Sequence, residues 1–100
     1  MIENLKRLNE LLNQYDFPFY LERNDFEPGG ISIEEEIEDL IRSGDIGEGI
    51  AANMLETQSI WSARFYHGCN NNDRNDFQIV YAATLEIAID RILKKLETYV

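Results

Sequence analysis

Ile60-Trp61-Ser62-Ala63-Arg64-Phe65-Tyr66-His67 is the stretch whose pattern decides the fold. Trp61, Ala63, Phe65 and His67 fall on one side of an extended chain, and Ile60, Ser62, Arg64 and Tyr66 on the other. This is the clearest strand in the sequence. Downstream, Gly68-Cys69-Asn70-Asn71-Asn72-Asp73-Arg74-Asn75 is a polar loop suited to solvent. Phe77 to Tyr81 then reads as another strand, with Phe77, Ile79 and Tyr81 alternating. Two consecutive strands joined by a loop pair most simply as an antiparallel hairpin.

Working further out, Phe17 to Arg23 reads as a first strand, with Phe17, Phe19 and Leu21 alternating with Pro18, Tyr20 and Glu22. A proline at its start suits a sheet edge. Four helices surround these strands. Residues 2 to 15 carry Ile2, Leu5, Leu8, Leu12 and Tyr15 at three- and four-residue steps, widened by Leu11. Pro18 ends this helix near Asp16. Pro28-Gly29-Gly30 marks a turn, and Ser32 with Glu35 forms a capping-box pattern opening a helix from about Ile33 to Ser43. Ile33, Ile37, Leu40 and Ile41 form its expected buried stripe, and Gly44 its left-handed stop. Asp45 is the expected cap of a weaker helix from about Ile46 to Glu56, with Ile50, Met54 and Leu55 inward. The last helix begins near Ala82 or Thr84, with a stripe of Leu85, Ile89, Ile92, Leu96 and Tyr99.

The expected fold is therefore α+β in the order α-β-α-α-β-β-α. A short three-stranded, mainly antiparallel sheet is packed by the N- and C-terminal helices, with a helical pair inserted between strands one and two. Residues 1–100 form one domain, since a chain this long holds one core. Ile60, Tyr66 and Val80, placed on the outward side, favour cover on both sheet faces.

Charge is the second organising feature. From Glu22 to Glu48, ten carboxylates oppose two bases, Arg23 and Arg42, giving a formal charge of −8 in 27 residues. The whole chain carries −10. That balance argues against direct binding of nucleic acid or of acidic membrane surfaces, both of which attract Lys and Arg. A charged partner is expected to be basic. On the helix from Ile33, Glu34 and Glu38 lie one turn apart, as do Glu35 and Asp39. Four residues rise about 6 Å, close to the spacing of phosphates along a nucleic-acid strand. Like charges so placed oppose the helix by about 0.2–0.5 kcal/mol per pair. A fold that tolerates them is using the negative potential to find a basic surface, or serving solubility and the helix dipole.

Other chemistry is sparse. Asp25, Glu27, Asp45 and Glu48 lack calcium-loop spacing, and no His or Cys stands near them, so no metal or cofactor is expected. His67 and Cys69, with Asp73 or Asp76 as orienter, form the alternative nucleophilic site, in a small-ligand or catalytic domain using the 67–76 loop. Trp61, Phe65, Tyr66, Phe77 and Tyr81 resemble a stacking platform, but base stacking comes with a basic groove and only Arg64 and Arg74 lie there, so core packing is expected. The stripe on the last helix offers a third reading, a homodimer or structural oligomer. The N-terminus shows no signal-peptide pattern, no apolar run approaches the ~20 residues of a membrane span, and the single Cys69 is compatible with a reducing cytosol, so a cytoplasmic location is expected.

Ile60 to Tyr66, a polar loop, a short strand and then Ala83-Thr84-Leu85-Glu86-Ile87-Ala88-Ile89 resemble small bacteriophage αβα-sandwich proteins. More remotely they are similar to the antitoxin half of HicAB-type modules. The resemblance spans residues 60–100 and implies a small phage or mobile-element protein that binds and blocks something. The expected function is accordingly an acidic, non-enzymatic inhibitor. Glu27, Glu34, Glu35, Glu38, Asp39, Asp45 and Glu48 would occupy the basic, nucleic-acid-binding surface of a nuclease, toxin or defence protein.

Overall fold

A computed structural model describes residues 1–26, 28–67 and 76–100. The elements are α1 (Ile2–Tyr15), β1 (Phe19–Arg23), α2 (Ile33–Arg42), α3 (Glu48–Thr57), β2 (Trp61–Tyr66), β3 (Phe77–Ala82) and α4 (Leu85–Tyr99). This is the expected α-β-α-α-β-β-α order around an antiparallel three-stranded sheet. The strands lie in the order β1-β2-β3, so the aromatic strand β2 is central and both partners are edges.

Local signals set most element ends. Asp16 adopts a left-handed conformation at φ 54°, and Phe17 N–H donates to Leu12 O at 3.0 Å, closing α1 two residues ahead of Pro18. Ser32 Oγ accepts from Glu35 N–H at 3.2 Å and caps α2. At its other end Gly44 (φ 81°) donates to Ile41 O and Asp45 N–H to Leu40 O, the paired bonds of a Schellman stop. Thr84 Oγ1 caps α4 by accepting from Ile87 N–H at 3.3 Å. The second acidic cap is different from expectation. Gly47, not Asp45, precedes α3, which starts at Glu48. The Asp45 carboxylate instead accepts from Ser43 Oγ at 2.6 Å.

Two cores result. In the first, Leu8, Leu11 and Leu12 of α1 and Ile89, Ile92, Leu93 and Leu96 of α4 bury one sheet face, closing over Ala63 and Phe65 of β2 and Val80 and Ala82 of β3. The α1 stripe is narrower than expected: Leu5 stays exposed, as does Ile2, which at ~100° per residue lies about 120° round from Leu8. Tyr15 is also exposed and stacks on Phe17. The α4 stripe is consumed here, inside the protein's own core, except for exposed Tyr99 and half-buried Leu85.

The second core joins Ile33, Ile37 and Leu40 of α2 to Ala51 and Met54 of α3, Ile46 between them, and Ile60 and Ala83 at the end of the β2–β3 pair. Ile41 (41% exposed) and Leu55 (42%) lie outside it, each about 100° round from a buried neighbour. Ala51 takes the inward place expected of Leu55. Ser59 Oγ donates to Ala83 O at 2.5 Å and Thr57 Oγ1 to the same oxygen at 3.4 Å, tying the end of α3 to the end of β3.

The register corrects the phase of β3. Ala63 faces Val80 and Phe65 faces Gln78, so Gln78, Val80 and Ala82 turn toward α1 and α4. Phe77, Ile79 and Tyr81, expected inward, share the opposite face with Ser62, Arg64 and Tyr66. The inserted helices cover that face only at its Tyr81 end.

Met54→Ala is expected to cost about 2–5 kcal/mol, whereas Leu55→Ala should change stability by about 0.5 kcal/mol or less. Urea unfolding of the two variants measures the contrast. Gly44→Ala is expected to destabilise by about 1–2 kcal/mol through backbone strain alone, because a Cβ there meets no neighbour within 4 Å; the same unfolding measurement checks it.

Candidate functional site

The α2 helix has one apolar stripe, and burying Ile33, Ile37 and Leu40 turns its remaining side chains to water. Glu34, Glu35, Glu38 and Asp39 are all exposed, and Glu36 is half-buried at the edge of the stripe. Asp45 lies in the corner after α2 and Glu48 opens α3, both exposed. Glu27, the remaining expected member, lies outside the described residues. Glu34, Glu35, Glu38 and Asp39 thus lie on the water-facing side of α2, with Asp45 and Glu48 exposed at the corner between α2 and α3.

Little neutralises this ridge. Arg42 Nη1 meets Asp39 Oδ1 at 3.2 Å, an exposed i,i+3 pair whose two side chains gain modestly in water. The other ion pairs among the described residues are Arg7–Glu10, Arg64–Glu22 and Lys94–Asp90, none of which involves a residue of α2. Glu34, Glu35 and Glu38 take part in none of them. Their field is offset chiefly by the N-terminal dipole of α2, where Glu34, Glu35 and Glu36 occupy the first turn.

Beside the ridge lies a second feature that strand-by-strand reading splits apart. Tyr20 of β1 faces Arg64 of β2, and Tyr66 faces Phe77 of β3, all on the sheet face away from α1 and α4. The Tyr20 and Tyr66 rings meet edge to face at 5.6 Å, and Tyr66 and Phe77 lie tilted to each other at 5.5 Å. The Arg64 guanidinium stands over Tyr20 at 5.3 Å and over Tyr66 at 5.8 Å, and reaches Glu22 at 3.6 Å. Tyr20 (47% exposed) and Phe77 (40%) leave this face open. The five residues that resemble a stacking platform, but are expected to pack in the core, are thus divided: Phe65 is sealed in the first core and Trp61 packs on it, while Tyr66, Phe77 and Tyr81 lie with Tyr20 on the opposite face. Tyr20 was the missing member, and only its cross-strand pairing with Arg64 reveals it.

The open face and the acidic ridge adjoin. A 530 Å³ groove runs between the end of β1 and the start of α2, lined by Glu22, Asp25, Phe26, Ile31 and Glu36 with Arg23 as its one base. Glu22 belongs to both groove and open face. At the covered end of that face, burial pushes the Tyr81 phenol above its ordinary value, the charges of Asp45 and Glu36 raise it further, and Arg64 opposes them. The chemistry offered is recognition of cationic and apolar groups.

Of the alternative site, the described residues include only His67 and Asp76. His67 packs on Tyr99 with ring centroids 4.2 Å apart, and its Nε2 lies 3.3 Å from Gln78 Nε2. Asp76 offers it only a backbone carbonyl, accepting from His67 N–H. Cys69 and Asp73 lie outside the described residues. Among the described residues no cluster of three or more His, Cys, Asp or Glu side chains is arranged to hold a metal, and no helix is long and apolar enough to cross a membrane. In comparisons with known proteins, no family model, curated protein or solved structure matches the chain.

A phenol with a raised folded pKa ionises first in the unfolded chain. The stability it contributes is complete below the ordinary value of 10.0 and is lost as pH climbs past it through the higher folded value. Tyr81→Phe should therefore flatten the fall in stability between about pH 9 and about pH 11, measured from urea midpoints of variant and wild type.

Proposed function

We propose that this protein is a non-enzymatic binding protein that occupies a basic surface of a partner by electrostatic and steric occlusion. The observation that carries the reading is the bare acidic ridge: Glu34, Glu35 and Glu38 stand exposed on α2 with no cation paired to them among the described residues. The α2 dipole favours the first-turn carboxylates, but Glu38 and Asp39 lie beyond that turn, and their like-charge pairs with Glu34 and Glu35 oppose the helix carrying them. A ridge held out by a rigid second core, with carboxylates about 6 Å apart along the axis, suits a surface built to grip phosphates. The partner class is a protein with a nucleic-acid-binding groove, such as a nuclease, a toxin or a defence protein, and the acting residues are Glu34, Glu35, Glu38 and Asp39, supported by Asp45 and Glu48. The resemblance of residues 60–100 to small phage proteins and, more remotely, HicB-type antitoxins agrees with a protein that binds and blocks a partner.

The test replaces Glu34, Glu35, Glu38 and Asp39 together by Lys. Partners are captured from lysate at low salt on wild type and variant, and association rates are measured across salt. The wild type is expected to retain partners that the variant loses, with an association rate falling steeply as salt rises. The same partners bound by both, with the same salt slope, would refute the reading.

A further inference from the structure

The open face of the sheet is a second surface, chemically unlike the ridge. Tyr20, Arg64, Tyr66, Phe77 and Ile79 form an aromatic and aliphatic floor with exposed rings at both edge strands. Contiguous exposed apolar surface of this kind marks a contact site. Its cationic member is already engaged, since Arg64 lies over two tyrosines and against Glu22. Its border toward α2 is anionic: Glu22 and Glu36 line the adjoining groove with Asp25, against Arg23 alone. Nucleic acid fits poorly, because aromatic stacking of bases needs a basic track for the phosphates, whereas this chain carries a net charge of −10. The shape selects further. Three strands about 4.8 Å apart span about 10 Å, the width of one helix with its side chains.

From this we infer that the open face docks a single amphipathic, basic helix of a partner protein. Its apolar stripe lies across Tyr20, Tyr66 and Phe77, and Lys or Arg side chains at one end enter the groove between Glu22, Asp25 and Glu36. The inference rests on the reading of this protein as a binder of basic partners, and adds a contact whose strength comes from apolar burial. Ridge and face then divide the work: the ridge governs how fast a partner arrives, and the face how long it stays.

The probe is a synthetic helical peptide of about 18 Leu and Lys residues, five turns, with the leucines on one side. Its control has the same composition with the leucines scattered around the helix. Binding to the full-length protein is followed by NMR. The amphipathic peptide is expected to bind at least about tenfold more tightly than its scramble. It should perturb Tyr20, Arg64, Tyr66, Phe77 and Ile79. The double variant Tyr20→Ser/Phe77→Ser, whose altered side chains are exposed and whose distant amide signals report an intact fold, should bind both peptides equally weakly. The ridge reversed to Lys should bind both more weakly with a shallower salt slope, yet keep the preference for the amphipathic peptide. That outcome separates the two surfaces and supports the face even if the ridge has no natural partner. Equal affinity for the two peptides, perturbations confined to α1, α4 or the ridge, or unchanged binding by the double variant would overturn the inference. Self-association of the free protein, abolished by Phe77→Ser, would also overturn it by showing the face taken by a second copy.

Discussion

Ile60 and Met54, both fully buried, belong to the second core, and the acidic face of α2 depends on the packing of that core. The two inserted helices are short, ten residues each, and helices of that length do not hold their shape alone in water. They gain it by burying Ile33, Ile37, Leu40, Ala51 and Met54 against the end of the sheet. Once that stripe is committed inward, geometry leaves the carboxylates of α2 facing out. The hydrogen bonds from Ser59 and Thr57 to the Ala83 carbonyl fix the same junction from the polar side. The ridge is therefore a consequence of packing rather than of an unstructured acidic run.

The two cores divide the labour. The larger one, built by α1 and α4 on one sheet face, makes a rigid slab. The smaller one caps the slab's end and lifts the ridge beyond it. Because α2 and α3 cap the end instead of lying across the sheet, most of the second face stays open. An acidic wall and an aromatic floor thus meet along Glu22, Glu36 and Tyr81. The His67 imidazole is packed among aromatic rings and an amide.

Where one physical signal dominated, the sequence was a good guide. Ser32, Thr84 and Gly44 marked helix ends because a hydroxyl cap or a left-handed glycine has few other uses. The alternation of Ala63 and Phe65 was read correctly because the side facing the helices is nearly all apolar. The phase of β3 was misread because both of its faces carry large apolar residues, and alternation alone cannot choose between them. The choice is made by α4, which packs close over the small Ala82 and Val80 and leaves Phe77 and Tyr81 outside. Asp45 misled as a cap because a nearer hydroxyl, Ser43, takes its carboxylate. The acidic ridge was legible from charge and helix period. The open aromatic face was not, since it is assembled from three strands whose register no local pattern encodes.

The central claim is that α2 presents an uncompensated negative potential to solvent. It is tested most directly without any partner, by measuring paramagnetic broadening of backbone amides with a cationic and an anionic nitroxide probe of the same size. The account predicts that amides of Ile33–Arg42 are broadened far more by the cationic probe, by a larger ratio than those of α1, and that added salt shrinks the difference. Equal broadening of α2 by the two probes would contradict it.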